Sequence, residues 1–174
     1  MSYTAPNRLF MPMRHSIDTV TDSWRLSSAA MNTGLNFTAN LAFYVPLAVP
    51  RCVVVRKLWF ASGSPSTGNV DMGLYNSQGV AVISATATAK ASSREQVFDV
   101  TDTAIGPGLY YIALVSDSNT DGFEGEQPAA PTACAFGVLT EATAYPLPAT
   151  ATWVVNQTNL VIPAMGLLLT TVVS

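Results

Sequence analysis

Charge is scarce in this chain. Asp, Glu, Lys and Arg make up 11% of its 174 residues, where soluble domains average about a quarter, and 49% of the residues are apolar. So few charged side chains cannot cover a monomer generously, which predicts that part of the apolar surface meets other protein. Basic residues are missing altogether from Glu95 onward, because all eight (Arg8, Arg14, Arg25, Arg51, Arg56, Lys57, Lys90 and Arg94) precede it. Residues 1–94 carry eight bases against three acids, a balance of +5, and residues 95–174 carry eight acids and no base, a balance of −8. A nucleic-acid groove needs clustered Lys and Arg to displace counterions, so no nucleic-acid partner is expected.

Histidine is scarcer still, with His15 alone. A Ser-His-Asp or Cys-His nucleophile would have to use that one residue, beside Arg14 and outside any strand pattern. No CxxC or HxxxH spacing offers a zinc site, and no GxGxxG or Walker-type loop is present. The expectation is a protein that is not an enzyme. Two cysteines make no disulfide scaffold; Cys52 and Cys134 both lie in apolar runs, where a free cysteine is ordinarily a small buried hydrophobe. No run approaches the roughly 20 apolar residues of a membrane span, and residues 1–14 lack a secretory signal pattern, so no membrane partner is expected.

What the chain does have is short runs of Val, Ile, Leu, Thr and aromatics punctuated by Gly, Pro, Asn, Asp and Ser, the pattern of antiparallel β structure. Candidate strands are 41–49, 52–61, 70–75, 80–86, 96–100, 109–116, 132–139, 150–155 and 167–173. Val70, Met72 and Leu74 alternate with Asp71, Gly73 and Tyr75, predicting one buried and one more open face. Asn76-Ser-Gln-Gly79 supplies a tight turn, with Gly79 able to take a positive φ. Pro46 and Pro50 cannot donate to a ladder, so their strand belongs at an edge or carries a bulge. The run from Met165 to Val173 is apolar on both faces; it is either central or covered by a neighbouring subunit, and the central position is the expectation. Residues 1–40 have no sustained period and read as an arm contacting a neighbouring subunit, with 41–174 forming the sandwich. The arm brings Arg8, Arg14 and Arg25 toward an acidic partner surface.

Three groups of residues invite a chemical reading. Asp99 with Asp102, or the acids between Asp117 and Glu126, have the residue types of a glycosidase pair, although Asp99-Val-Thr-Asp102-Thr equally reads as side chains capping their own backbone at a strand exit. Asp117, Asn119 and Asp121, followed by Gly122 at the sixth position, match the oxygen spacing of a calcium loop. Position twelve is Pro128 where a bidentate Glu is needed, so only an irregular site closed by Glu124 or Glu126 remains, beside the plainer reading of an Asx-rich loop. Trp24, Trp59, Trp153, Tyr75, Tyr110 and Tyr111 have the chemistry of a glycan-stacking platform, set against core or interface anchors. Tyr110 and Tyr111 are adjacent in a strand and must point to opposite faces, so one of them is a candidate contact residue.

Three segments together resemble small structural proteins of tailed bacteriophages: Phe43-Tyr-Val-Pro-Leu-Ala-Val-Pro-Arg with Lys57-Leu-Trp-Phe60, then Gly68-Asn-Val-Asp-Met-Gly-Leu-Tyr75, then Asp99-Val-Thr-Asp102 with Pro107-Gly-Leu-Tyr-Tyr-Ile-Ala113. The resemblance implies an all-β, antiparallel β-sandwich of jelly-roll type in a virion component made in the bacterial cytoplasm. A receptor-binding fibre needs a stalk or heptad repeat that this sequence lacks. The expectation is therefore a capsid decoration or cement protein, whose partners are the major capsid protein and copies of itself. The alternative is a tail or fibre module binding host glycans.

Overall fold

The computed structural model describes residues 32–92, 94–126, 137–142, 144–155 and 162–170. Thirteen strands run through them: β1 (Asn32–Asn36), β2 (Ala42–Val49), β3 (Val53–Ser62), β4 (Asn69–Asn76), β5 (Ala81–Ser84), β6 (Thr88–Ala89), β7 (Arg94–Ile105), β8 (Gly108–Ser116), β9 (Gly122–Glu126), β10 (Leu139–Glu141), β11 (Val154–Val155), β12 (Ile162–Pro163) and β13 (Met165–Thr170). They make two antiparallel sheets packed face to face, an all-β sandwich. The seven-stranded sheet runs β11-β10-β2-β8-β4-β5, with β6 also on β4; the six-stranded sheet runs β1-β9-β3-β13, with β12 on β9 and β7 on β3.

The core follows from period-2 alternation. Phe43, Val45, Leu47 and Val49 of β2, Ile112 and Leu114 of β8, and Val70, Met72 and Leu74 of β4 face Val53, Val55, Leu58 and Phe60 of β3 across the interior. Phenylalanines close one end, with Phe37 and Phe123 ring centroids 4.5 Å apart and Phe60 6.5 Å from Phe37. The Asn76–Gly79 turn forms as expected: Gly79 has φ +82, and the Asn76 Oδ1 accepts from the Gln78 and Val80 amides.

Several expectations are corrected. Strands β1 and β9 carry little β signal. Strand β1 lies within the stretch read as an arm, yet it pairs with β9, and Leu35 and Phe37 are buried in the core. Strand β9, Gly122-Phe-Glu-Gly-Glu126, occupies the segment read as a loop. Its Gly122 and Gly125 let the backbones of Ser64 and Ile162 come closer than any Cβ would allow. Strand β7 runs on through Asp99 and Asp102 rather than ending there. Those carboxylates face cations across the ladder, with Lys57 Nζ 2.9 Å from Asp99 and Arg56 Nε 3.5 Å from Asp102. Strand β13, expected to be central, pairs with β3 alone among the described residues and stands at the end of their six-stranded sheet. Strand β2 is internal, but β10 reaches only Ala42–Tyr44, so the half containing Pro46 has a ladder on the β8 flank alone among the described residues. Cys52 is exposed, one residue before β3 begins.

Candidate interaction surface

The outward face of the seven-stranded sheet is where sequence and structure part most. Alternation leaves Tyr44 of β2, Asp71, Gly73 and Tyr75 of β4, and Tyr111, Ala113 and Val115 of β8 on that face, the one expected to be more open. Asp71 is nevertheless only 5% exposed and Tyr75 is buried, because residues 144–153 cross the face as a strap between β10 and β11. The Ala144 amide donates to the Asn40 carbonyl and the Leu147 amide to Asp71 Oδ2 at 2.9 Å. The Tyr75 hydroxyl donates to the Pro148 carbonyl at 2.5 Å. At the far edge the Ala81 amide donates to the Ala149 carbonyl and the Ala151 amide to the Gly79 carbonyl, and Val80 bridges Thr150. Returning, the Thr152 hydroxyl donates to one oxygen of Glu141 at 2.7 Å while the Tyr44 hydroxyl donates to the other at 2.8 Å.

Beneath and beside the strap lies a second apolar cluster of Tyr44, Tyr75, Ala113, Val115 and Ala144, joined by the half-buried Tyr111, Leu139, Leu147 and Trp153. Trp153 is its hub, 5.2 Å from Tyr44, 6.4 Å from Tyr75 and 4.6 Å from Tyr111. Burial, the carboxylate of Glu141 and the neighbouring Tyr75 push the Tyr44 phenol far up, and burial with the nearby acids Asp71 and Glu141 does the same to Tyr75. Both phenols thus keep their protons at neutral pH, Tyr44 donating to Glu141 and Tyr75 to the Pro148 carbonyl. Burial also raises the Asp71 carboxyl, against the pull of the Leu147 and Met72 amides, and among the described residues its Oδ1 has no partner.

Beyond the strap the same face stays open and apolar. Leu109 shares the Tyr111 side of β8 and is 45% exposed, and Val155 of β11 is 53% exposed; Val154, 63% exposed, stands opposite Thr140 and so points to the other face of the sheet. Val155 stands opposite Leu139, which stands opposite Tyr44, so these side chains form one ledge around Trp153 and Tyr111.

The remaining sequence candidates fall elsewhere. The adjacent tyrosines do point to opposite faces: Tyr111 joins the outer cluster, while Tyr110 packs on the interior, its hydroxyl donating to the Gly106 carbonyl. Trp59 lies on the other sheet, buried, its indole N–H without an acceptor among the described residues. Of the five described aromatics read as a platform, Tyr75, Tyr111 and Trp153 meet, while Trp59 and Tyr110 lie elsewhere. The calcium-loop acids act as staples. Asp121 is buried, its Oδ1 accepting from the Thr67 and Gly68 amides and the Thr67 hydroxyl, its Oδ2 from Ser116. Burial alone would raise this carboxyl, but those four donors outweigh it and hold it below the usual range. Asp117 receives the amide and side chain of Asn69; Asn119 is exposed and Glu124 half-buried on β9. Among the described residues no group of three or more His, Cys, Asp or Glu is placed to hold a metal ion.

Sequence reading passed over Lys90. It is buried, its ammonium donating to the carbonyls of Gly63, Pro65 and Ala91, and burial lowers its pKa against the opposing field of Asp121. Nothing in its local pattern signals this, since two of these three partners, Gly63 and Pro65, lie in the loop before β4. Arg8, Arg14, His15, Trp24, Arg25, Pro128 and Cys134 lie outside the described residues. Comparison with known protein families, with curated proteins and with solved structures finds no match to this chain.

Proposed function

We propose that this chain is a structural subunit of a virus particle, a decoration or cement protein of the kind that stabilises the head of a tailed bacteriophage. The observation that carries the reading is the ledge of Leu109, Tyr111, Leu139, Trp153 and Val155, an apolar surface on the outer face of the seven-stranded sheet of a chain with few charges. Half-buried aromatics ringed by exposed aliphatics are the composition of protein–protein contacts. In this reading the jelly-roll sandwich sits over junctions between major capsid proteins, the ledge buries against them, and Arg8, Arg14 and Arg25 reach an acidic neighbour. Their complementary charge sets register and encounter rate.

The decisive experiment is the copy number of this protein per particle, by quantitative mass spectrometry against the major capsid protein. A ratio near one, or a simple fraction such as one third, fits a protein that tiles the head; a handful of copies sinks that location. A second reading, a tail or fibre module binding host glycans, is favoured by one observation: Tyr111 and Trp153 meet and are both partly open. Their planes are 46° apart, so they offer a cleft rather than a flat stacking platform. A glycan array without hits, alongside tight binding to undecorated heads, removes it.

A further inference from the structure

We propose that residues 145–148 are a flap latched by Asp71, shut while that carboxyl is neutral and lifting once it is ionised. The strap is not held evenly. Its two ends bond to backbone, Ala144 to Asn40, and Ala149, Thr150 and Ala151 to residues 79–81. Between them, among the described residues, the main chain takes only two side-chain bonds, both from β4. Asp71 Oδ2 accepts from the Leu147 amide at 2.9 Å, and the Tyr75 hydroxyl donates to the Pro148 carbonyl at 2.5 Å. Pro146 and Pro148 have no amide to give. Leu147 rests on bare backbone, its Cδ1 3.4 Å from where a Cβ would stand at Gly73.

One of those two bonds ends on a group that changes charge. Asp71 is 5% exposed, and its Oδ1 is buried with no partner among the described residues. Tyr75, on its own strand, and Tyr145, on the flap, both feel its charge; Tyr44 of β2 and Glu141 of β10 lie near Tyr75, and Asp117, just past β8, near Tyr145. None of these groups brings a positive charge to offset an ionised Asp71. With the flap shut, a charged carboxylate therefore keeps one oxygen bare and dry, a cost that protonation removes. Lifting residues 145–148 admits water to that oxygen. Burial accordingly holds the folded carboxyl above its ordinary 3.8, outweighing the amides of Leu147 and Met72. The preference for the shut flap is thus fully present below the ordinary value and is lost as pH rises to the folded one. Leu147 packs into the cluster around Trp153, so an open flap removes one apolar wall behind the ledge.

The flap belongs to the fold and is measured on the full chain without any particle or partner. Amide exchange followed by NMR from about pH 3 to about pH 8 reads it, at the Leu147 amide relative to the amides of β3 and β8. After correction for the intrinsic exchange rate, Leu147 protection should be highest at the acid end. It should fall as pH rises by no more than about tenfold per pH unit, the slope that one proton allows. Asp71→Asn, neutral at every pH, should hold Leu147 at the acid-end protection throughout. Protection that does not fall in the parent, or that falls equally in Asp71→Asn, overturns the proposal. Should the variant fail to fold, the carboxyl-carbon shift of Asp71 in the parent decides instead. A titration midpoint above 3.8, with the fall in Leu147 protection levelling off there, supports the latch; a midpoint at or below it, or a fall elsewhere in pH, rejects it.

Discussion

The space between the two sheets and the space beneath the strap both exclude water, but by different means. Between the sheets, Val, Leu, Ile, Met and Phe alternate inward from strands whose backbone groups are satisfied by the ladders themselves. Beneath the strap the cover is irregular chain: its ends bond neighbouring backbone at Ala144, Ala149 and Ala151, but in the middle the Leu147 amide and the Pro148 carbonyl take side-chain partners. Asp71, Tyr75, Tyr44 and Glu141 supply them or tie the strap's flank. An apolar face can be buried by alternation alone when a sheet covers it. When a loop covers it, polar residues must stand among the aromatics, and each then depends on a particular partner.

The contrast can be broken from either side. Phe60→Ala, at a fully buried interior position, should cost about 4 kcal/mol and lower the urea midpoint equally by near-UV and far-UV signals, because both sheets depend on it. Trp153→Ala removes the hub of the outer cluster from a half-buried site and should cost about 2 kcal/mol. Its signature should be local: amide exchange at Leu147 and Ala151 should quicken while β3 and β8 stay protected. A global loss of protection would show that the strap belongs to the same cooperative unit as the interior. Tyr44→Phe keeps the ring and deletes one hydrogen bond to Glu141, for about 1 kcal/mol, read as a shift in the chemical-denaturation midpoint with an unchanged slope.

The smallest effect has the opposite sign. Burial raises the Asp71 carboxyl above its ordinary 3.8, so the folded state holds its proton to higher pH than the unfolded chain. The stability tied to that proton is fully present below the unfolded pKa and is lost as pH rises through the folded one. Asp71→Asn keeps an acceptor for the Leu147 amide without the buried charge. It should raise stability near pH 7 by less than about 1 kcal/mol. Asp121 titrates with the reverse slope, because its folded carboxyl is held down. The difference between variant and parent melting curves from about pH 3 to pH 8 therefore isolates Asp71; a constant difference across that range would show that Asp71 is not protonated preferentially in the fold.

Much of the fold was legible in the chain. Strands β2, β3, β4 and β8 stand where alternation puts them, and the turn at Asn76–Gly79 forms from its own residues. Strand β9 was not legible because its two glycines and two glutamates carry no β preference; what makes it a strand is the close approach of Ser64 and Ile162. The candidate site was legible only in part. Alternation told that Tyr110 and Tyr111 face opposite ways but not which of them faces outward; the structure puts Tyr111 there. Which partners Asp117 and Asp121 take, and which of the aromatics meet, was not legible, since residue type alone does not say which partner a side chain will find.

By itself, then, the sequence determined an all-β chain with two-faced strands, opposed tyrosines at 110 and 111, and a charge asymmetry that no folding can remove. Those are local or compositional properties, fixed by the two-residue period of a strand and by the φ freedom of one glycine. Only the tertiary structure decided that the open face of β4 is roofed by the strap, and that Asp117 and Asp121 are staples. It also decided that the ledge around Trp153 is the apolar surface left over. The partners that settle these questions lie 48 residues away for Asp117 and Asn69 and 97 for Tyr44 and Glu141, far beyond the reach of any local pattern.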